Sequence, residues 1–319
     1  MSVSACLIVR DEAARLAGCL ASVAPFVDEV VVADTGSTDD TVAVAEAIGA
    51  RVVHVEWRDD FAAARNAALA ACTGDWVLSV DADERAVGEP EWLPLMLETL
   101  GDDVVALSVQ IEEAGGQNPR GHLAHRSSKL FRRERCRWRS RVHEQIVLAS
   151  GPDEGSRPAP MELPREALLL AHDGYADPVV VRAKTARNLR LAGLELADLV
   201  AERAPEPAVV RVLLDLGRSQ LALGEREHGV ATLADVRERS RAGTQGWLWA
   251  TDFLAWDAVR HGDADIADGY ARELGAVGAP PDYLRTLAAQ IAYLRGDRER
   301  GDALAAAVTR RVTVTGHPA

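Results

Sequence analysis

Several features that would assign this chain to a common class are missing from its 319 residues. No apolar run is long enough to span a bilayer, and the first residues lack the basic start, apolar stretch and cleavage site of a signal peptide. The four cysteines, at positions 6, 19, 72 and 136, form no C-x-x-C pair, which favours buried reduced thiols over disulfides or a zinc site. We therefore expect a cytoplasmic protein with no transmembrane segment.

A net positive charge and glycine-rich phosphate loops are also lacking. The net charge of −13 argues against a nucleic-acid-binding protein and against attraction to an anionic membrane. No G-x-G-x-x-G follows the first predicted strand and there is no Walker loop, which disfavours dinucleotide oxidoreductases, P-loop enzymes and methyltransferases with a glycine-rich first turn. A diphosphate can still be bound through a divalent cation, because carboxylates hold Mg²⁺ or Mn²⁺ against phosphate oxygens.

The N-terminal half does contain a regular alternation of strands and helices. Apolar, β-branched segments are separated by single helical segments, and they lie at residues 3–9, 29–33, 51–55 and 76–80. This order predicts a mostly parallel sheet with right-handed crossovers. Polar residues follow the strands at 10–12, 34–39 and 81–84. Because the carboxyl ends of parallel strands share one edge, we expect these residues to lie together.

The motif around which the rest is organised is Asp81-Ala82-Asp83-Glu84, directly after a short apolar strand. An Asp-x-Asp pattern alone is common and often only caps a helix. Here it converges with Asp34 on the same predicted edge, which favours a binding function for Asp34 and Asp83. Ser37, Asp39 and Asp40 are instead interpreted as helix N-caps.

Four segments in this order resemble family 2 glycosyltransferases of the GT-A fold: residues 6–12 (CLIVRDE), 34–39 (DTGSTD), 60–66 (DFAAARN) and 81–84 (DADE). The most similar branch is bacterial and carries a helical, tetratricopeptide-like C-terminal region. The resemblance covers residues 3–190 well and the remainder by pattern only. One departure is Asp11, where the family often has asparagine.

The resemblance implies an inverting transfer from a nucleotide-sugar, most often UDP-linked, with Mg²⁺ or Mn²⁺ as cofactor. The donor-site residues that it implies are Val9, Arg10, Glu12, Asp34, Arg65, Asp81, Ala82 and Asp83. Among them, Asp34 would contact the nucleotide base and Arg65 would help to hold the donor. Asp81 would lie near the ribose or a metal-bound water, and Asp83 would ligate the metal.

A change in charge marks the segment after the predicted strand at 104–111. Residues 112–128 are rich in glycine and polar side chains, which predicts an active-site loop. Basic residues then dominate from Arg120 to Arg141, and Arg137, Arg139 and Arg141 alternate as on one face of a strand. That face is either an anion site, for the donor diphosphate or an acidic acceptor, or a solvated surface with ordinary ion pairs.

Two histidines and a glutamate complete the candidate site. His143-Glu144 is suited to proton transfer, and an acid at this place is the catalytic base in the resembled family, which assigns that role to Glu144. The alternative is a glutamate paired with nearby arginines. Three roles are possible for His143: a contact to the acceptor, a neighbour of the metal, or a histidine packed in the core. His172 follows a strand at 167–171, and the resemblance implies that it completes the metal shell, against an ordinary structural role.

From Val179 onward the pattern is helical. A short sequence motif recurs around Gly224, Gly262 and Gly296. The spacing from 224 to 262 is 38 residues and that from 262 to 296 is 34 residues, and the second spacing equals the tetratricopeptide period. Each glycine is expected to turn one helix into an antiparallel partner. The aromatic group 247–256 favours core packing between helices over a binding groove.

These observations predict an α/β fold class, with a GT-A (Rossmann-like), mostly parallel sheet domain over residues 1–176 and an all-α helical-hairpin, tetratricopeptide-like domain over 177–319. The predicted function is an inverting, metal-dependent glycosyltransferase. The sequence does not identify the acceptor. The candidates are a peptide, a lipid-linked sugar, a polysaccharide and a small molecule, and the acceptor could be anionic or bound to a carrier. The alternatives are a helical-repeat scaffold with a degenerate catalytic domain and a nucleotidyltransferase, which would need a basic, glycine-rich loop after strand one. The helical half could support a homodimer.

Overall fold

The computed structural model describes residues 1–113, 124–172 and 178–316. The chain divides into two compact units, Met1–Tyr175 and Ala176–Ala319. The first unit combines strands and helices, and the second is helical. Across the described ranges, no helix has both the length and the apolar character needed to cross a membrane.

The first unit contains eleven strands and four helices in its described part. The strands are β1 (Val3–Val9), β2 (Glu29–Asp34), β3 (Arg51–His54), β4 (Trp76–Ser79), β5 (Glu84–Val87), β6 (Ala106–Glu113), β7 (Ala124–Arg132), β8 (Cys136–Arg139), β9 (Gln145–Leu148), β10 (Met161–Glu162) and β11 (Leu169–His172). The helices are α1 (Ala13–Val23), α2 (Thr41–Ala47), α3 (Phe61–Ala71) and α4 (Trp92–Thr99).

Nine of these strands form one mixed sheet in the order β3-β2-β1-β4-β7-β6-β11-β5, with β10 beside β6. Strands β3, β2, β1 and β4 are all parallel, which confirms the parallel sheet predicted from the strand–helix alternation. Strand β7 then enters antiparallel between β4 and β6. Strands β8 and β9 form a separate antiparallel hairpin.

The parallel half is stabilised by burial on both faces of its central strands. In β1 all residues except Ile8 are buried. Helix α1 covers one face with the predicted stripe Leu16, Cys19, Leu20 and Val23, all fully buried. Because both faces are covered, these strands are nearly continuous in apolar residues rather than alternating.

Two predictions in the basic segment are wrong. Residues 124–128 belong to β7 rather than to a loop, since β6 extends to Glu113 and β7 begins at Ala124; the rest of the predicted loop, 114–123, and Arg120 lie outside the described residues. Arg137 and Arg139 do share the exposed face of β8, opposite buried Trp138. Arg141 does not continue that face, because Ser140 adopts a left-handed φ of +85° and ends the strand.

The second unit is built of antiparallel helical pairs. Its helices are α5 (Pro178–Ala201), α6 (Glu206–Leu223), α7 (Arg226–Arg239), α8 (Gln245–Arg260), α9 (Ala264–Ala276), α10 (Pro281–Leu294) and α11 (Arg298–Ala306). The predicted turn glycines Gly224, Gly262 and Gly296 separate α6 from α7, α8 from α9 and α10 from α11. Their φ angles are +86°, +79° and +78°, a left-handed conformation that glycine adopts without strain.

Candidate active site

The loops after β1 and β2 are tied together at the carboxyl edge of the sheet. Val9 pairs with Asp34 at the ends of the two strands. The N–H of Glu12 donates to Thr41 Oγ1 at 2.7 Å, and Asp11 Oδ1 accepts from the N–H of Thr38 at 2.7 Å. These contacts bring two of the predicted donor-binding segments to one place. Arg10, which directly follows Val9, is exposed there.

Asp34 closes β2 and is almost fully buried, with 5% of its side chain exposed. It accepts the N–H groups of Ser37 at 3.1 Å and Gly36 at 3.2 Å. Burial acts to raise its pKa, but hydrogen bonds from Ser37, Gly36 and His54 outweigh burial and hold the pKa below its ordinary value. Asp34 is therefore a fixed anion at the sheet edge.

A buried arginine joins carboxylates from two distant segments. Arg65 of α3 donates from Nε to Glu144 Oε1 at 2.6 Å and from Nη2 to Asp81 Oδ1 at 2.8 Å. Its Nη1 reaches Ser79 Oγ at 3.1 Å. Burial disfavours its charge, but the carboxylates of Asp81 and Glu144 outweigh burial and raise the pKa of Arg65 above its ordinary value.

Lys129 of β7 supplies the second cation of this network. Its Nζ donates to Asp81 Oδ2 at 2.9 Å and to Glu84 Oε2 at 3.0 Å. Burial acts to raise the pKa of Asp81, yet Lys129 and Arg65 together hold it far below its ordinary value. At Glu84 the effect of burial is larger than the opposing effect of Lys129, so the pKa of Glu84 is raised above its ordinary value. Both oxygens of Asp81 are thus engaged by protein cations.

The position of Arg65 is set by α3 and by the β8–β9 hairpin. Asp60 caps α3 by accepting the N–H of Ala63 at 2.8 Å. Asn66 pins the hairpin by exchanging two 2.9 Å hydrogen bonds with the backbone of Trp138. The guanidinium of Arg65 then lies 5.0 Å from the centre of the Trp138 ring, a cation–π contact that adds to its hold.

These groups form the wall of a cavity of about 190 Å³. Its lining includes the charged residues Arg65, Asp81, Lys129 and Glu144. The remaining polar part of the lining consists of Ser79, Ser127, Ser128, His143, Gln145 and Arg157. As far as the described residues go, Asp34 and Asp83 are not part of this lining.

His143 lies in this cavity wall and is exposed, which excludes a packed core histidine. Its φ is +51°, and Ser140 in the same turn has a φ of +85°. A non-glycine residue in the left-handed region is strained by roughly 1 kcal/mol or more, and such strain is concentrated at functional sites. The turn therefore holds Glu144 and His143 in the cavity at the expense of local backbone strain.

Asp83 and His172 meet beside this network. His172 Nε2 lies 3.3 Å from Asp83 Oδ2, and Asp83 is the more buried of the two. Adjacent ligands of an octahedral ion, each about 2.1 Å from it, lie about 3 Å apart, so this carboxylate–imidazole pair fits a divalent cation. Within the structurally described ranges, no group of three or more His, Cys, Asp or Glu side chains is arranged to hold a metal. Substrate oxygens and water would have to supply the other ligands.

The predicted arginine face lies apart from this cavity. Arg137 pairs with Glu154 at 2.8 Å, and both side chains are about half exposed. Upstream, Arg126, Arg132 and Arg133 hydrogen-bond backbone carbonyl oxygens of neighbouring segments. The segment from 124 to 141 is thus mostly structural, and its interpretation as ordinary surface pairing holds for Arg137.

Sequence reasoning assigned no role in the cavity to Lys129 and Arg157, which line it, and none to Glu84 as the partner of Lys129. One signal was available for Lys129: it is one of only two lysines in an arginine-rich chain, the other being Lys184. For Arg157 the local sequence, a loop rich in proline and glycine, contains no such signal.

Comparison with known proteins assigns the chain to a family. The model described as Glycosyl transferase family 2 matches residues 4–150. A TPR repeat-containing protein of Synechococcus elongatus is 34% identical over 305 residues, which are 94% of this chain and 72% of that protein. The chain belongs to glycosyltransferase family 2. The family 2 region contains all the residues of the cavity except Arg157.

Other relatives share only part of their length with this family 2 chain. An uncharacterized glycosyltransferase of Rickettsia felis is 46% identical over 82 residues, which are 26% of this chain and 29% of that protein. Glucosyl-3-phosphoglycerate synthase from Mycobacterium tuberculosis, solved with Mn²⁺, UDP and glucosyl-3-phosphoglycerate, is 31% identical. The match covers 36% of this chain and 45% of that one, at a TM-score of 0.30, a partial likeness that supports no inference about the site.

Proposed function

We propose that this family 2 glycosyltransferase is metal-dependent and inverting, and that its sugar donor is a UDP-linked nucleotide-sugar. The observation that supports this most directly is the carboxylate Glu144 in a cavity wall beside Arg65 and Asp81. A glycosyltransferase needs a base next to a site that can hold both sugar and acceptor. Here Arg65 fixes the position of the Glu144 carboxylate by donating a hydrogen bond to one of its two oxygens.

Glu144 is the catalytic base in this proposal. Only its Oε1 receives a hydrogen bond from the residues that the structure describes, and the donor is Arg65. Oε2 is left to take the proton from the acceptor hydroxyl as that oxygen attacks the anomeric carbon. The new carbon–oxygen bond forms as the bond to the diphosphate breaks, and the leaving diphosphate retains the electron pair. Attack from the face opposite the leaving group inverts the anomeric centre.

The donor is bound along the sheet edge in this proposal. Asp34, fixed as an anion after β2, contacts the nucleotide base, and the loop from Val9 to Glu12 lies beside it. Asp83 and His172, whose side chains lie 3.3 Å apart, would hold Mg²⁺ or Mn²⁺. When bound, the ion neutralises the developing charge on the leaving diphosphate. Asp81 has a positioning role, because Arg65 and Lys129 occupy both of its oxygens.

The two compact units are proposed to correspond to a catalytic domain, residues 1–176, and a helical domain, residues 177–319. Stacked helical hairpins present extended surfaces that suit long ligands. In this proposal the hairpins add binding surface for the acceptor, and the chemistry is confined to the first unit. The TPR repeat-containing relative supports a repeat character for the second unit.

The test is calorimetric titration of UDP into the protein with Mg²⁺, with Mn²⁺ and with EDTA, followed by a screen of nucleotide-sugars for UDP release. We expect metal-dependent UDP binding and turnover of one sugar. Asp83→Ala should abolish the metal-dependent part of binding with no loss of fold, whereas Asp102→Ala, which removes a fully exposed carboxylate, should change neither. Absence of UDP binding by the wild-type protein would instead favour a helical scaffold with a degenerate catalytic domain.

A further inference from the structure

The cavity has an uneven distribution of satisfied and unsatisfied polar groups. Four charged residues of the lining pair with one another within 3 Å: Arg65 with Glu144 and Asp81, and Lys129 with Asp81. Lys129 also contacts Glu84, which is not part of the lining. This network contains two cations and three carboxylates, so it has no surplus positive charge to offer an anionic ligand.

Four other groups of the lining differ from this network. Arg157 makes no hydrogen bond or ion pair with any residue in the described parts of the chain. The hydroxyls of Ser127 and Ser128 and the amide of Gln145 also lack hydrogen-bond partners there. All four groups can donate hydrogen bonds, and the only charge among them is positive. A ligand that satisfies these four groups is one that accepts several hydrogen bonds and carries negative charge.

We propose that these groups form the acceptor subsite, and that the acceptor carries an oxyanion, a phosphate or carboxylate group, which binds to Arg157 with Ser127 and Ser128. This inference rests on the proposed function, because Glu144, which lines the same cavity, is the base that would take the acceptor proton. A cavity of about 190 Å³ accommodates a group of monosaccharide size next to such a base.

The alternative source of an oxyanion is the donor diphosphate. The pair that would hold the donor's metal, Asp83 and His172, lies outside the cavity lining within the described residues. The diphosphate is therefore expected on the Asp83 side, and the anion at Arg157 is a second one. A donor site and an acceptor site so arranged can be filled at the same time.

The experiment is calorimetric titration of inorganic phosphate, and separately of acetate, into the full chain already saturated with UDP and Mg²⁺. We expect at least one of the two anions to bind, and the tighter one identifies the class of acceptor group. Arg157→Gln should weaken that binding at least tenfold. The matched control is Arg139→Gln, since Arg139 is also exposed and lacks a described hydrogen-bond partner but is not in the cavity lining; it should change the affinity less than twofold.

Three results would overturn the proposal: no anion binding to the wild-type protein, equal binding to Arg157→Gln, or anion binding that UDP displaces, which would assign Arg157 to the donor diphosphate. Titration of UDP with Mg²⁺ alone separates this failure from failure of the proposed function. If UDP does not bind but the anion still binds at Arg157, the proposed metal-dependent use of a UDP-linked donor is what fails.

Discussion

Arg65 binds Glu144 through one carboxylate oxygen, with Nε 2.6 Å from Oε1. A base held in this way keeps a fixed orientation, and its second oxygen is available to a substrate hydroxyl. The guanidinium that holds it remains protonated at any pH at which the protein is folded.

Glu144→Gln is expected to remove the base and keep the shape of the cavity. Because general base catalysis contributes about 10²–10⁴ in rate, UDP release during sugar transfer should fall by that factor while the affinity for UDP with metal changes little. The control is Glu134→Gln, which neutralises an exposed glutamate paired with Arg133. Turnover of Glu144→Gln within threefold of the wild-type value would exclude this residue as the base.

Lys129→Met is expected to destabilise the fold. The substitution leaves Glu84 buried without its cation and removes one partner from the half-buried Asp81, and breaking a buried ion pair from one side typically costs about 3–5 kcal/mol. Urea unfolding measures the change. The control Lys184→Met removes an exposed lysine and should be nearly neutral.

A second substitution tests the cause of that loss. Adding Glu84→Gln to Lys129→Met removes one of the two stranded carboxylates, so the double variant should recover part of the lost stability. If the double variant is less stable than Lys129→Met alone, the charge argument fails and Lys129 matters through packing.

His172→Gln is expected to weaken metal binding in the presence of UDP at least tenfold, about 1.4 kcal/mol. The loss should be larger for Mn²⁺ than for Mg²⁺, because an imidazole nitrogen suits Mn²⁺ better. Titration of Mn²⁺ followed by electron paramagnetic resonance measures the affinity. His228→Gln, at a largely exposed helical histidine, serves as the control. Equal Mn²⁺ affinity in the two variants would remove His172 from the metal shell.

Glu29 predicts a pH dependence of stability. It accepts hydrogen bonds from Ser4 Oγ at 2.5 Å, Thr73 Oγ1 at 2.8 Å and the N–H of Gly74 at 3.3 Å. Burial acts to raise its pKa, but these hydrogen bonds lower the pKa from 4.5 to about 2. Its folded pKa lies below its unfolded pKa, so its contribution is present above about pH 4.5 and is lost as the pH falls toward 2.

Glu29→Gln should therefore lower stability at pH 7 by an amount on the order of 3 kcal/mol or less, and by much less near pH 2.5. Thermal unfolding at both pH values measures this difference. A loss of the same size at the two pH values would show that the amide fails for steric reasons, and would refute the titration argument.

Two glycines in the helical unit give a matched pair for packing. A Cβ at Gly301 would lie 2.2 Å from the ring of Tyr293, whereas a Cβ at Gly269 meets nothing within 4 Å. Gly301→Ala should destabilise by about 1–3 kcal/mol through overpacking. Gly269→Ala should stabilise by up to about 1 kcal/mol, because alanine favours a helix interior. The order of the two melting temperatures checks the helical packing directly.

The sequence predicts the sheet edge well because strand ends and turn residues are local signals. Asp34 and Asp81 lie where the strand–helix alternation puts them. The Arg65–Glu144 contact joins residues 79 positions apart, and no periodicity encodes such a pairing. The prediction that Arg141 shares the face of Arg137 and Arg139 is wrong because Ser140 has a left-handed backbone. Nothing in the identity of Ser140 indicates that conformation.

Gly224, Gly262 and Gly296 share nearly one φ value, and this has a consequence for how the helical unit can change over generations. Each turn repeats the same local geometry, so the unit can in principle gain or lose one hairpin at such a turn. Such a change would leave the sheet unaltered, and the acceptor-binding surface proposed for the hairpins is therefore open to selection separately from the chemistry.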